Sequence, residues 1–160
     1  MRKSNVLASL LPSILLVAVT ALAAFMTPVS AAPKADFKFT DVKTHTEAFH
    51  QYERTIQLTP EQKAIYREAL EGLPAPCCQD NTALTCCCPC NHARAWWGLT
   101  KHLVVNLGYN AEETRAKIAE WFKFANPSGW PGNTCYTSNG CAKPFKHGGC
   151  GGMTAEQLVF

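Results

Sequence analysis

"NHARAWWGLTKHLVVNLGYNAEETRAKIAEWFKFANP", residues 91–127, decides the fold class. Trp96, Trp97, Thr100, Leu103, Val104 and Leu107 recur at the spacing of one helix face, and Gly108 stands where a helix C-cap belongs. Asn110 then caps a second helix, with Glu113 at the capping-box position and Ala111, Thr114, Ile118, Trp121, Phe122 and Ala125 on its inner face. Two helices joined across Gly-Tyr-Asn make a helical hairpin, and Asn126-Pro127 ends it.

Upstream, "THTEAFHQYERTIQL" from Thr44 carries Thr44 and Glu47 at capping-box spacing, with Phe49, Tyr52 and Ile56 on one stripe. This helix is expected to run until Thr59-Pro60, because the residue before a proline avoids the helical region. There a further helix begins: Thr59 is the N-cap, Pro60 the first helical residue and Gln62 the closing partner of a capping box. Ile65, Tyr66, Ala69 and Leu70 form its buried stripe, and Gly72 and Pro74 end it. The expected fold is therefore all-α: a small helical bundle containing a helical hairpin, with a cysteine-rich loop over 73–90 and an irregular Gly/Cys-rich C-terminal segment.

The first residues, "MRKSNVLASLLPSILLVAVTALAAFMTPVSA", have a basic tip, an apolar run and a small-residue exit at Val29 and Ala31. They predict a secretory signal peptide over 1–31 and an exported, periplasmic or extracellular protein, touching a membrane only through an uncleaved signal segment. A tether over 32–43, the helical domain over 44–125 and a tail over 126–160 packed on that domain complete the expected organisation. Loss of Arg2 and Lys3 lowers the formal charge from +3 to +1, which gives no support to a nucleic-acid partner. There are no paired carboxylates, nucleophile elbow or phosphate loop.

All nine cysteines, at 77, 78, 86, 87, 88, 90, 135, 141 and 150, lie beyond the signal segment. An exported chain meets an oxidising compartment, so disulfides are the first expectation, but an odd count leaves one thiol for another use. Adjacent cysteines have Cα atoms about 3.8 Å apart, below the roughly 4.4 Å lower limit of an ordinary disulfide, so any bridges must reach further along the chain.

Four thiols within Cys86–Cys90 are a poor way to build separate staples and a good way to bind a soft ion. Cys86, Cys88 and Cys90 alternate along the loop, and His92 lies two residues on. Cys150-Gly-Gly-Met153 offers a thiolate and a thioether on a Gly-rich backbone. The expected ligand set is Cys86, Cys88 and Cys90 as core, Cys77 and Cys78 in support, and Cys135, Cys141, Cys150 and Met153 as a second group over or beside the first. The expected ion is copper(I) in preference to zinc. Of the histidines, His147 is the best additional ligand, His102 is expected in solvent, and His45 and His50 have no assignment.

A zinc ribbon would need two Cys-x-x-Cys pairs, and only Cys87 to Cys90 has that spacing. A dinuclear copper centre of the oxidase kind would need His and Met where Arg94 and Trp97 stand. "CCPC", Cys87 to Cys90, has instead the Cys-x-Pro-Cys form of thiol redox sites and opens a helix, whose dipole favours thiolate.

"TCCCPC", preceded by "YREALEGLP", resembles the motif of the exported PCYCGC-motif proteins, with Cys86, Cys88 and Cys90 on its three cysteines; the resemblance spans residues 66–90 and implies export and cysteine chemistry. Residues 87–127 are similar to the CcmH-type thiol proteins of cytochrome c maturation, which place a Cys-x-x-Cys before a helical hairpin; this resemblance implies a redox pair at Cys87 and Cys90. Three functions follow as expectations. The first is an exported soft-metal-binding protein for sequestration or delivery, without turnover, partnered by a metal ion and a metal-delivery or thiol protein. The second is a periplasmic thiol-disulfide oxidoreductase, with Cys87 attacking and Cys90 resolving. The third is a disulfide-stapled structural domain.

Overall fold

The computed structural model describes residues 34–86, 88–130 and 139–160. The expected signal peptide over 1–31, together with Cys87 and Cys135, lies outside the described residues. Four helices dominate: α1 (Val42–Thr55), α2 (Pro60–Glu71), α3 (Asn91–Asn106) and α4 (Ala111–Ala125). The protein is a small helical bundle with cysteine-rich connections. Among the described residues no helix is long and apolar enough to cross a membrane.

The caps explain where the helices begin. Thr59 accepts from the Gln62 N–H while the Gln62 side chain accepts from the Thr59 N–H, and Asn110 and Glu113 repeat the arrangement at α4. α1 starts three residues earlier than the Thr44 to Glu47 spacing implies. The Asp41 carboxylate takes both the Thr44 N–H, at 2.8 Å, and its hydroxyl, at 2.7 Å, so Asp41 is the N-cap and Thr44 lies inside the helix. The helix also stops at Thr55, leaving an extended link before Pro60.

α3 is the central element. Ala93, Ala95, Trp96, Leu99, Thr100 and Leu103 are all fully buried, around more of the helix than the one face seen in sequence. α1 is its most extensive partner, although α4 does follow it as a hairpin. The two backbones touch at Gly98, where a Cβ would lie 1.8 Å from the Phe49 carbonyl oxygen. Phe49 and Trp121 pack edge to face at 5.1 Å and close the core between α1 and α4.

The stretch expected as a tether is docked instead. Phe37 and Phe39 pack on the core, Lys34 pairs with Glu113, and the Tyr109 hydroxyl donates to the Ala35 carbonyl at 2.9 Å. His102, expected in solvent, is half-buried and stacks on Tyr52 at 4.5 Å with ring planes 7° apart.

The cysteine-rich loop contains a small antiparallel ribbon, β1 (Pro74–Ala75) and β2 (Cys78–Thr82). It is tied to α3 through one atom: the Ala83 carbonyl accepts from both Trp96 Nε1, at 3.0 Å, and Trp97 Nε1, at 2.9 Å. Among its described residues the tail holds three short 3₁₀ turns, Gly140–Ala142, Phe145–His147 and Ala155–Gln157, with Phe145 buried.

Gly98→Ala is expected to destabilise the fold by about 2–4 kcal/mol, because the obstacle to its methyl group is backbone that a rotamer change cannot move. Urea unfolding followed by tryptophan fluorescence measures it; a change within about 0.5 kcal/mol of zero would contradict the close α1–α3 approach.

Candidate metal centre

Cys90 is the N-cap of α3, its sulfur accepting from the Ala93 N–H at 3.4 Å. The first helical N–H groups are taken by the tail: Asn91 N–H donates to the Gly152 carbonyl at 2.9 Å and His92 N–H to the Cys150 carbonyl at 3.0 Å. The Asn91 side chain adds bonds from Nδ2 to the carbonyls of Gly151, at 2.8 Å, and Thr154, at 2.6 Å. His50, buried on α1, donates from Nε2 to the Asn91 carbonyl at 2.8 Å. The tail can present its carbonyls this way because Gly151 and Gly152 take φ of +73° and +95°. A Cβ on Gly152 would also meet the Gln157 carbonyl oxygen at 2.2 Å.

This docking carries the Cys150 side chain inward. Cys86 hydrogen-bonds to Cys77, Cys77 to Cys150, and Cys150 to Cys90, making one run of four thiols. Cys77, Cys90 and Cys150 are fully buried and Cys86 is 8 % exposed. The contact with Cys77 and then burial raise the pKa of Cys86, and the contacts with Cys77 and Cys90, with burial, raise that of Cys150. Cys90 is the contrasting group: the bond from Cys150 lowers its pKa against burial, helped by the N–H groups at the start of α3.

Beside this run stands His92, fully buried. Its ring is stacked on Trp130 at 4.6 Å and 15° and also meets Trp96 at 4.8 Å, Phe122 at 5.4 Å and Phe145 at 5.1 Å. Among the described residues neither ring nitrogen has a hydrogen-bond partner. Burial depresses its pKa to about 3, opposed by the charge at Cys77, so the imidazole is neutral at pH 7.

The predicted ligands therefore divide differently from their order in sequence. Cys77, Cys86, Cys90 and Cys150 come together, joining one member of the supporting pair and one of the tail group to two of the core. Cys88 is half-buried, and its carbonyl accepts from the Cys86 thiol at 3.7 Å. Cys78 accepts from Asn81 Nδ2 at 3.0 Å. Cys141 and Met153 line a separate cavity of about 400 Å³ with Gly152 and Val159. Cys87 and Cys135 lie outside the described residues, and with Cys87 the proposed redox pair. His147, the preferred extra histidine, is exposed, and His92 holds the inner position. Among the described residues no group of three or more His, Cys, Asp or Glu side chains forms a ready-made ion cage.

Compared with known protein families, with characterised proteins and with solved structures, the chain matches none.

His92 makes the metal-free protein acid-sensitive. An unfolded imidazole takes its proton near pH 6.5 and the folded one only near 3, so the unfolded state binds more protons in between. The stability due to neutral His92 is complete above pH 6.5 and is lost as pH falls towards 3, by about 4–5 kcal/mol in all. Chelator-treated, reduced protein unfolded in urea across this range is expected to show that slope, and His92→Phe a flatter one; parallel profiles would contradict the burial of a neutral ring.

Proposed function

We propose that the protein holds one soft metal ion, Cu(I) or Zn(II), on the thiols of Cys77, Cys86, Cys90 and Cys150, and that its role is sequestration after export rather than turnover. The observation that carries this reading is the run of four neighbouring thiols, drawn from the cysteine-rich loop and the distant tail and closed to solvent. Thiols are weak hydrogen-bonding groups, and converging four of them in a core does little that apolar side chains would not do better. As thiolates they are strong ligands for soft ions.

The run is the protonated form of such a site. Cys86 and Cys150 keep protons that an ion must displace, and in doing so the sulfurs turn from one another towards the ion. Binding is then coupled to proton release and to docking of the tail, since Cys150 and the carbonyls that hold α3 belong to one segment. Burial favours slow release, which suits storage, and delivery to a partner protein would require the tail to lift.

The lowered pKa of Cys90 favours a second reading, in which Cys90 and Cys150 form a reversible disulfide. Cys90 is fully buried, however, so an attacking partner would have to wait for the tail to open.

Anaerobic titration of the reduced protein with Cu(I), and separately with Zn(II), against a chelating indicator tests the proposal. One ion per chain is expected, with protons released into a weakly buffered solution. Cys77→Ser, Cys90→Ser and Cys150→Ser should each weaken binding about 100-fold or more, and Cys141→Ser by less than about threefold. Equal effects from all four substitutions, or no stoichiometric binding, would overturn it.

A further inference from the structure

We propose that the segment before α1, residues 34–41, is an acid-released strap: the neutral rings of His45 and His102 hold it over the aromatic core, and their protonation lifts it. The proposal is independent of the thiol-site reading above. The strap has no regular structure, and its two phenylalanines cover core rings. Phe39 packs on Trp121 at 5.3 Å, on Phe124 at 5.5 Å and on Phe49 at 6.4 Å, while Phe37 meets Phe49 at 6.1 Å. Phe49 and Trp121 are fully buried with the strap in place, so its release uncovers an apolar face between α1 and α4.

The hydrogen bonds require neutral rings. The Thr40 N–H donates to His45 Nε2 at 3.0 Å, and the Thr40 hydroxyl oxygen stands 3.3 Å from the same atom. Nε2 is thus an acceptor, and a proton placed on it would face the N–H that now bonds to it. The His45 ring also stacks on Phe49 at 5.5 Å and meets Phe37 and Phe39 edge to face, each at 5.7 Å. From α3, His102 meets Phe37 at 5.5 Å while its Nδ1 accepts from Asn106 Nδ2 at 2.8 Å. Both imidazoles that touch Phe37 are half-buried, and burial holds both below the ordinary histidine range. Attraction of a charged ring to Phe37 and Phe39 works the other way, but it is weak at sites open to water and does not restore the Thr40 bond.

The surrounding charges leave the histidines as the groups that change just below neutrality. On α1, Asp41 favours a charged His45, but burial of the ring outweighs it, and bonds from Thr44 hold the Asp41 carboxyl low; Lys43 acts on Asp41 as well. On the strap, Asp36 pairs with Lys38 at 3.6 Å and with Lys117 of α4 at 3.8 Å, and Lys34 pairs with Glu113 and holds its carboxyl low. Lys117 also pairs with Glu120 at 2.6 Å and lies 5.8 Å from the centre of the Phe39 ring. Lys101 of α3 donates to the Glu53 carbonyl. Lysines keep their charge throughout, and carboxylates lose theirs about two units below histidines. Release returns both rings towards water, where imidazole takes its proton near pH 6.5. Docking that depends on the neutral rings is therefore complete above pH 6.5 and is lost as pH falls through their lowered values.

An NMR titration of the protein between about pH 7.5 and 5 reads the rings and the strap together. The Thr40 amide and the ring protons of Phe37 and Phe39 are expected to move to unstructured positions as His45 and His102 titrate, while the α3 amides stay protected. The released strap should be about tenfold more populated at pH 5 than at pH 7. His102→Phe, which keeps a ring against Tyr52 and Phe37, should reduce that change to about threefold. Combining it with His45→Phe should remove the change, and Asp36→Asn should leave it in place. Histidines that titrate without movement of Phe37, Phe39 and Thr40 would overturn the proposal. So would a release that Asp36→Asn abolishes, or a loss of α3 protection in the same step. The signals of the unaltered chain decide the matter even if the variants dock poorly.

Discussion

The docking of the tail on the first turn of α3 is the contact on which the rest depends. A helix begins with N–H groups that have no partner in the helix itself, and here the carbonyls of Gly152 and Cys150 take two of them. Asn91 strengthens the clamp from its side chain, while its own carbonyl holds His50 of α1. A single set of bonds therefore fixes the helix start, orders a segment without long regular elements, and delivers a tail cysteine to the thiols of Cys77 and Cys90. A segment rich in glycine has much backbone entropy to lose, and these bonds, the burial of Phe145 and whatever Cys150 engages must together offset it.

Local signals in the chain were legible where a short-range bond decides the outcome. The reciprocal bonds of Thr59 with Gln62 and of Asn110 with Glu113 are formed as their spacing implies, and Ala111, Thr114, Ile118, Trp121 and Ala125 are indeed the buried face of α4. The start of α1 was misread because two candidate caps compete, and the Asp41 carboxylate accepts from Thr44 and makes it a helical residue. β1 spans two residues, too few to show any alternation, so the ribbon left no pattern.

The candidate centre was legible as an inventory of thiols and not as an arrangement. Cys86 and Cys90 could be grouped by proximity in sequence, but the roles of Cys77 and Cys150 depend on how the loop and tail fold back. The contrast between His92 and His147 has the same origin. Both lie near cysteines, and His92 is inside only because α3 is covered on nearly every side and Trp130 closes over the ring. The available signal was the fully apolar company of His92 on α3, with Trp96 one turn away, which marks a histidine that has left solvent.

Burial gives the thiol run its chemical character. In a closed site a thiolate needs a positive partner, and the N–H groups of α3 supply part of that at Cys90. A soft cation would supply far more, and on the proposed reading it would account for thiols rather than apolar groups converging in this core. An oxidising compartment presses in the other direction, towards disulfides along the same run, so the state of the four sulfurs is the central question.

Elemental mass spectrometry joined to intact-mass measurement answers it most directly, on protein isolated from an exporting host without added chelator. The account predicts stoichiometric zinc or copper, lost in Cys77→Ser, with the cluster sulfurs reduced. Metal-free protein from a metal-replete host, with Cys77, Cys86, Cys90 and Cys150 joined in two disulfides, would contradict it.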